Sequence, residues 1–337
     1  MSSAVATLIG AHLPIQLRYL LDVIWLDPKL VDEDGETVSR GAIAQALNLL
    51  LLADLIDRTP TAAAYVRDLE NMGETLVFDH GALRTIELDR MGTLPAGRRA
   101  ISRILEPLGY AESAVYPLDR LGMTGFSYTH LDYPETLPQF FVSELHPTRF
   151  SLEFQVAMAR ITQDSEDPLD TVSRDLLRRL KVNGNLPMAD AISLLPALVA
   201  SFDRQHCDPR WSDYETLLAE STEAAWIATE GNSFNHATHR VSDLRKTVAE
   251  QRLRGRPMKP EIEISRTGRI HQTAYKADPV ERRFISRNGR TVTHTVPGSF
   301  FEFIQRATLS DDAAGRYRLD LGFDSSNAQA IFKMTAA

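Results

Sequence analysis

Residues Phe78 to Arg84 read FDHGALR, and Phe234 to Arg240 read FNHATHR. Aligned without a gap, both give Phe, Asp or Asn, His, Gly or Ala, Ala or Thr, one free position and Arg. The likeness continues beyond the histidines. Each is followed by a helical stretch, several strand-like stretches and a double-phenylalanine strand, FFVSEL in the first copy and FFEFIQ in the second. His80 and Phe140 are 60 residues apart, and His236 and Phe300 are 64 apart. A repeat of this kind is one supersecondary unit used twice, so two similar βα-plus-strands modules are expected, with helical material before and between them. It also makes His80 and His236 a matched pair that points to one shared site.

The flanking text fills in the organisation. Residues 1–72 form an N-terminal helical segment, in which IQLRYLLDVIWL and GAIAQALNLLLLADLI carry apolar residues at three- and four-residue spacing. TPTAAAYVRDLE opens with a capping Thr and an early Pro. Residues 73–160 make the first module: a strand in ETLVFDHGALRTIEL, a helix in PAGRRAISRILEPLGY, and strands in FSYTHL and PQFFVSEL. Residues 161–230 read as a helical insertion through DTVSRDLLRRL, PMADAISLLPALVASF and SDYETLLAESTEAAWIA. Residues 231–337 make the second module. It has a strand in SFNHATHRV, a Ser-capped helix in SDLRKTVAEQRLRG, and strands in PEIEIS, TGRIHQTAYK, RRFIS and TVTHTVPGSFFEFIQR. Arg287, Asn288 and Gly289 mark a hairpin turn, and SSNAQAIFKM reads as a closing helix.

Composition removes some classes of function. A net charge of −8 without a Lys/Arg-rich block argues against a nucleic-acid partner, and the short basic run QRLRGRPMK reads as a solvated helix end. The N-terminus lacks the pattern of a secretory signal. ALNLLLLADLI, the longest apolar run, is too short to span a bilayer, so no membrane partner is expected. One cysteine, Cys207, permits no internal disulfide and suggests a cytosolic, reducing address.

The residues that can do chemistry lie on the repeat. On a strand through Glu302, Phe300 and Ile304 share its face while Phe301, Phe303 and Gln305 take the other. Both faces are largely apolar, and a buried carboxylate must be paired or metal-bound. A salt bridge, for instance with Arg306, is one reading. The two histidines supply the other, because two His and one carboxylate are the ligand set of non-haem Fe(II) oxygenases. Laying FFV over FFE puts Val142 opposite Glu302 in the repeat, so the modules offer three ligands and leave positions open. Arg84, four residues after His80 and on the same strand face, could hold a substrate carboxylate through two hydrogen bonds or form an internal ion pair. Arg240 is open to either role.

Most of the nine histidines carry no such signal. His12, His146, His206 and His271 have no repeat partner, and His130 and His294 either line a cavity or sit on a strand surface. His239 points away from His236 if FNHATHR is a strand, and towards the same ion if it is a helix.

FDHGALRT, FNHATHRV and VPGSFFEFIQR together resemble the 2-oxoadipate dioxygenase/decarboxylase (hydroxyglutarate synthase) family of the vicinal-oxygen-chelate superfamily, over Thr75 to Met334. GSFFEFIQR also resembles the end of 4-hydroxyphenylpyruvate dioxygenase and hydroxymandelate synthase. The resemblance implies an α+β fold of two βαβββ-type modules forming a curved mixed sheet around a metal site, with added helical segments. It implies His80, His236 and Glu302 as ligands of Fe(II), and Arg84 as the receiver of the substrate's carboxylate. The implied reaction consumes O₂ and a small-molecule 2-oxo acid, releases CO₂ and hydroxylates the same molecule; from 2-oxoadipate the product is 2-hydroxyglutarate. Apolar walls near Phe301 or Phe303 would limit water. Two readings compete: another metal-dependent enzyme of the same fold (isomerase, lyase or extradiol-type dioxygenase) and a metal-dependent binding protein.

Overall fold

The computed structural model describes residues 4–10, 12–31, 35–311 and 316–324. The N-terminal segment holds α1 (Ala4–Gly10), α2 (Leu20–Val23), α3 (Pro28–Val31), the short strand β1 (Thr37–Ser39), α4 (Arg40–Arg58) and α5 (Pro60–Met72). The first module follows as β2 (Phe78–Ile86), α6 (Arg99–Leu105), β3 (Tyr110–Leu118), β4 (Met123–His130) and β5 (Gln139–Leu145). Between the modules lie α7 (Leu152–Thr162), α8 (Thr171–Asn183), β6 (Asn185–Pro187), α9 (Met188–Ala200), α10 (Trp211–Glu220) and α11 (Thr222–Glu230). The second module is β7 (Phe234–Arg240), α12 (Leu244–Leu253), β8 (Glu263–Ile264), β9 (Ile270–Ala274), the hairpin β10 (Pro279–Ile285) and β11 (Thr291–Pro297), and β12 (Phe300–Arg306). β13 (Thr308–Asp311) and β14 (Arg316–Leu319) form a separate antiparallel pair. The closing helix expected in SSNAQAIFKM lies outside the described residues.

The repeat is visible in the sheet. Eight strands run in the order β3-β4-β5-β2-β7-β12-β9-β8, which reads as β3-β4-β5-β2 mirrored by β8-β9-β12-β7. Each histidine strand is central, parallel to its double-phenylalanine strand and antiparallel to its repeat partner. Each module thus has βαβββ order, the second carrying β10–β11 as an extra hairpin outside the large sheet. RRFIS and TVTHTV form the two strands of that hairpin, on either side of the turn expected at Arg287, Asn288 and Gly289.

One face of the sheet is buried under the N-terminal and inter-module helices. α4 has almost no exposed side chain, which is why its sequence is apolar all round; Ser39 caps it by accepting from Ala42 N at 3.1 Å. Phe301 and Phe303 point to this side and pack on Tyr65 of α5. A second apolar cluster joins Ile86, Leu118, Met123 and Leu145 to α7, α10, α11 and the hairpin.

Local details differ from the sequence expectations for identifiable reasons. α12 is capped by the Asp243 side chain, not by Ser242. Thr59 makes no side-chain cap to α5. SDYETLLAESTEAAWIA splits into α10 and α11 because Ser221 takes an extended conformation and caps the second helix. β3 and α7 are elements that the sequence pattern does not announce. β3 has a mostly solvent-facing, weakly apolar pattern, whereas α7 is a short amphipathic helix capped by Ser151.

Candidate metal centre

His80, His236 and Glu302 converge on the face of the sheet opposite α4 and α5. All three are buried, and their ligating atoms lie within 4.8 Å of one another. His236 Nε2 is 2.9 Å and His80 Nε2 3.7 Å from Glu302 Oε2. FNHATHR is a strand, so His239 turns to the other face, where its Nδ1 is 2.8 Å from the Tyr65 hydroxyl.

The sheet aims these side chains by a device repeated in both modules. The β2–β7 ladder slips by one residue twice, leaving Asp79 as an extra residue before His80 and Asn235 as an extra residue before His236. Neighbours on a regular strand face opposite ways; at a bulge they need not. Asp79 Oδ1 accepts from His80 Nδ1 at 2.8 Å, whereas the Asn235 amide nitrogen, Nδ2, lies 2.9 Å from His236 Nδ1. The "Asp or Asn" of the repeat is therefore the partner of the ring nitrogen that faces away from the centre. Between the two histidines, Gly81 lets the strands close: a Cβ there would stand 2.3 Å from the Phe234 ring.

Arg306 completes the support. It pairs with Asp79, not with Glu302, through Nε at 2.9 Å and Nη2 at 2.8 Å, with its side chain fully buried. Its Nη1 donates to the carbonyls of Asp320 and Gly322. Burial would raise the Asp79 carboxyl, but the Arg306 charge and the His80 hydrogen bond hold it well below the usual range. Asp79 is thus an acceptor only, it engages His80 through Nδ1, and Nε2 is the ring nitrogen that faces Glu302.

Chemistry then tests whether these groups fit a cation. Burial pushes the Glu302 carboxyl up, yet the neighbouring His236 and His80 hold it below its ordinary value, so it is ionised. Burial, opposed by Glu302, pulls His236 down. A carboxylate oxygen and two imidazole nitrogens converging on one buried space can together hold a cation. This donor set suits a first-row divalent metal.

Aromatic rings close the space. Phe300 stacks on His236 at 4.9 Å between centroids, and Phe323 meets His80 edge-on at 4.9 Å. Phe323 also contacts Phe141 and Tyr116, and its N–H donates to the Tyr116 hydroxyl. The walls are thus Phe300 and Phe323; the expectation of Phe301 or Phe303 fails because odd positions of β12 face the helices.

Register corrects another expectation. In the parallel β7–β12 pair Thr238 faces Glu302, and in the equivalent β2–β5 pair Ala82 faces Phe141. The counterpart of Glu302 is Phe141, one residue before Val142, because the two FF words are offset by one in the ladders. The conclusion that the first module offers no fourth ligand is unchanged.

Arg84 is fully buried with its guanidinium 4.8 Å above the Trp226 ring. Burial pulls it down to about 10, against the pull of Glu223, and its charge is felt at His236. Arg240 instead donates to the Glu135 carbonyl and lies 3.8 Å from Asp79. The remaining histidines bond to protein. His130 Nε2 meets the Leu108 carbonyl, and its Nδ1 accepts from Asp132 N and Tyr133 N. His206, His12 and His271 meet carbonyls of Ala228, Ile192 and Gly268, and His294 stacks on Trp211. A second trio, Glu87, Glu144 and His146, is held by partners of its own: His146 joins Glu87 and Thr124, and Glu144 accepts from Arg98 N.

A family model described as 2-oxoadipate dioxygenase/decarboxylase matches residues 44–333. The chain belongs to that family. The 2-oxoadipate dioxygenase/decarboxylase of Oryza sativa subsp. japonica, a chloroplastic/amyloplastic protein, is 25% identical over 307 residues, 83% of this chain and 75% of the relative. A glyoxalase-superfamily protein from Ralstonia eutropha JMP134 has a TM-score of 0.90 at 49% identity, covering 96% of this chain and 98% of its own. Hydroxyglutarate synthase from Oryza sativa, solved with 2-oxoadipate, shares the fold with a TM-score of 0.66 at 21% identity, covering 88% and 93%. The architecture is that of the vicinal-oxygen-chelate, or glyoxalase, superfamily, and family membership makes the chain an enzyme of the dioxygenase/decarboxylase class. No helix among the described residues is long and apolar enough to cross a membrane.

Proposed function

We propose that His80, His236 and Glu302 hold one Fe(II) ion, and that the enzyme uses O₂ to decarboxylate and hydroxylate a 2-oxo acid of the 2-oxoadipate type. The products are CO₂ and a hydroxy acid such as 2-hydroxyglutarate, and the single cysteine suits a reducing, cytosolic setting for such a metal. The observation that carries this reading is the buried His–His–carboxylate cluster, with each histidine's outward nitrogen already engaged. When bound, the ion supplies Lewis-acid polarisation of the 2-oxo group and redox chemistry with O₂.

The chain's own residues do the rest. Asp79 and Asn235 fix the two rings, Arg306 keeps Asp79 ionised, and Phe300 and Phe323 exclude water beside the histidines. Arg84 receives the far carboxylate of the substrate: its buried guanidinium, 4.8 Å above the Trp226 ring, is a cation that can bind a carboxylate through paired hydrogen bonds.

Oxygen consumption tests the reading. Protein loaded anaerobically with Fe(II) is given a panel of 2-oxo acids headed by 2-oxoadipate, with O₂ and CO₂ followed together. Uptake matched by CO₂ release, and absent in His80→Ala and Glu302→Ala, is expected. Bound iron with no uptake for any oxo acid would sink the oxygenase reading and favour an isomerase or lyase.

A further inference from the structure

We propose that Thr238 is a positioning residue whose hydroxyl sets the orientation of the Glu302 carboxylate; this rests on the metal-centre reading above. Thr238 follows His236 by two residues on β7, is fully buried, and lies across the parallel ladder from Glu302. Its Oγ1 is 3.1 Å from Glu302 Oε2 and 3.1 Å from His80 Nε2. A hydroxyl has one proton to give. The ionised carboxylate is the stronger acceptor, so the proton goes to Glu302.

Among the described residues, the side chains that bond to the Glu302 carboxylate are His236 and Thr238. His236 uses the same nitrogen that would bind an ion, so its bond to Glu302 cannot survive loading. Thr238 is then the donor that holds the carboxylate in both states. The repeat supplies an independent argument. The matching position in the first module is Ala82, which faces Phe141, where no carboxylate needs orienting. The hydroxyl appears only in the module that has the carboxylate.

Thr238→Val removes the hydroxyl at similar volume, Thr238→Ala removes it with no added bulk, and Thr238→Ser keeps it. Co(II) affinity, read from visible absorption against a competing chelator, does not depend on turnover. Both hydroxyl-free variants are expected to bind Co(II) about 10-fold more weakly, within the range for groups that support a ligand, and Thr238→Ser within about 3-fold of the parent. In turnover with iron, kcat should fall while KM for the oxo acid stays nearly constant, since Thr238 is assigned no contact with substrate. Should Thr238→Val fail to fold, the Ala and Ser pair decides alone. Hydroxyl-free variants that bind Co(II) as well as the parent or Thr238→Ser would overturn the proposal. His80→Ala separates the two readings: if it too binds Co(II) normally, the metal centre itself is misassigned.

Discussion

At the strand pair beside each histidine, the two halves of the sheet carry opposite kinds of side chain. Thr238 faces Glu302 in the second module, whereas Ala82 faces Phe141 in the first. The supporting residues differ as well: the bulge before His80 carries Asp79, tied to Arg306, and the bulge before His236 carries the neutral Asn235. One backbone plan thus gives an apolar wall on one side and a buried carboxylate on the other. Strand order and bulges set where side chains meet; chemistry is then decided by single residues at fixed places in the ladder.

The largest effect tests the candidate metal centre itself. His80→Ala and Glu302→Ala should each weaken metal binding by more than about 100-fold, exceeding the effect of any supporting residue, as measured by chelator competition. Next comes the difference between the bulges. Asp79→Asn makes the first bulge like the second, and should lower metal affinity about 10- to 100-fold. It also leaves Arg306 buried beside a neutral amide, so urea unfolding should show a loss of about 3–5 kcal/mol. A variant as stable as the parent would show that the Asp79–Arg306 pair does not support the site.

A pH prediction concerns the first module alone. Burial pulls His130 down to about 4, and its Nδ1 already accepts two backbone N–H groups, so the ring is neutral in the fold. The unfolded chain binds the proton near pH 6.5, hence stability is full above that pH and falls as pH drops towards 4. Between pH 7 and pH 5 this amounts to about 2 kcal/mol. Urea midpoints should fall over this window, and His130→Gln should flatten the pH dependence while lowering stability throughout. The smallest effect tests the wall. Phe141→Leu should cost about 1 kcal/mol of stability and leave metal affinity within about 3-fold; a large loss of affinity would mean that Phe141 does more than fill space.

How much of this was legible in the sequence depends on how far apart the partners lie. The repeat, its βαβββ order and the convergence of His80, His236 and Glu302 could be read because short matching words recur at similar spacing. The role of Asp79 and Asn235 could not, since alternation puts neighbours on opposite faces unless a bulge intervenes, although Asp or Asn in both copies was the available signal. Nearness in sequence makes Arg306 one possible salt-bridge partner for Glu302, but its side chain reaches a residue on another strand, 227 positions away. The choice of Val142 over Phe141 shows the same limit: composition identifies a strand pair, and only the ladder fixes its register.

Gly81 carries no group that could bind anything, yet it stands between the two candidate ligand strands with the Phe234 ring in the place of its missing side chain. That ring belongs to the residue leading into Asn235 and His236. Adding one methyl group at position 81 would therefore act at a distance of two residues along the neighbouring strand, moving the His236 ring rather than loosening a core. The spacing between the two histidines is calibrated by an absence, and the position most easily overlooked in a search for functional groups is among the least open to change.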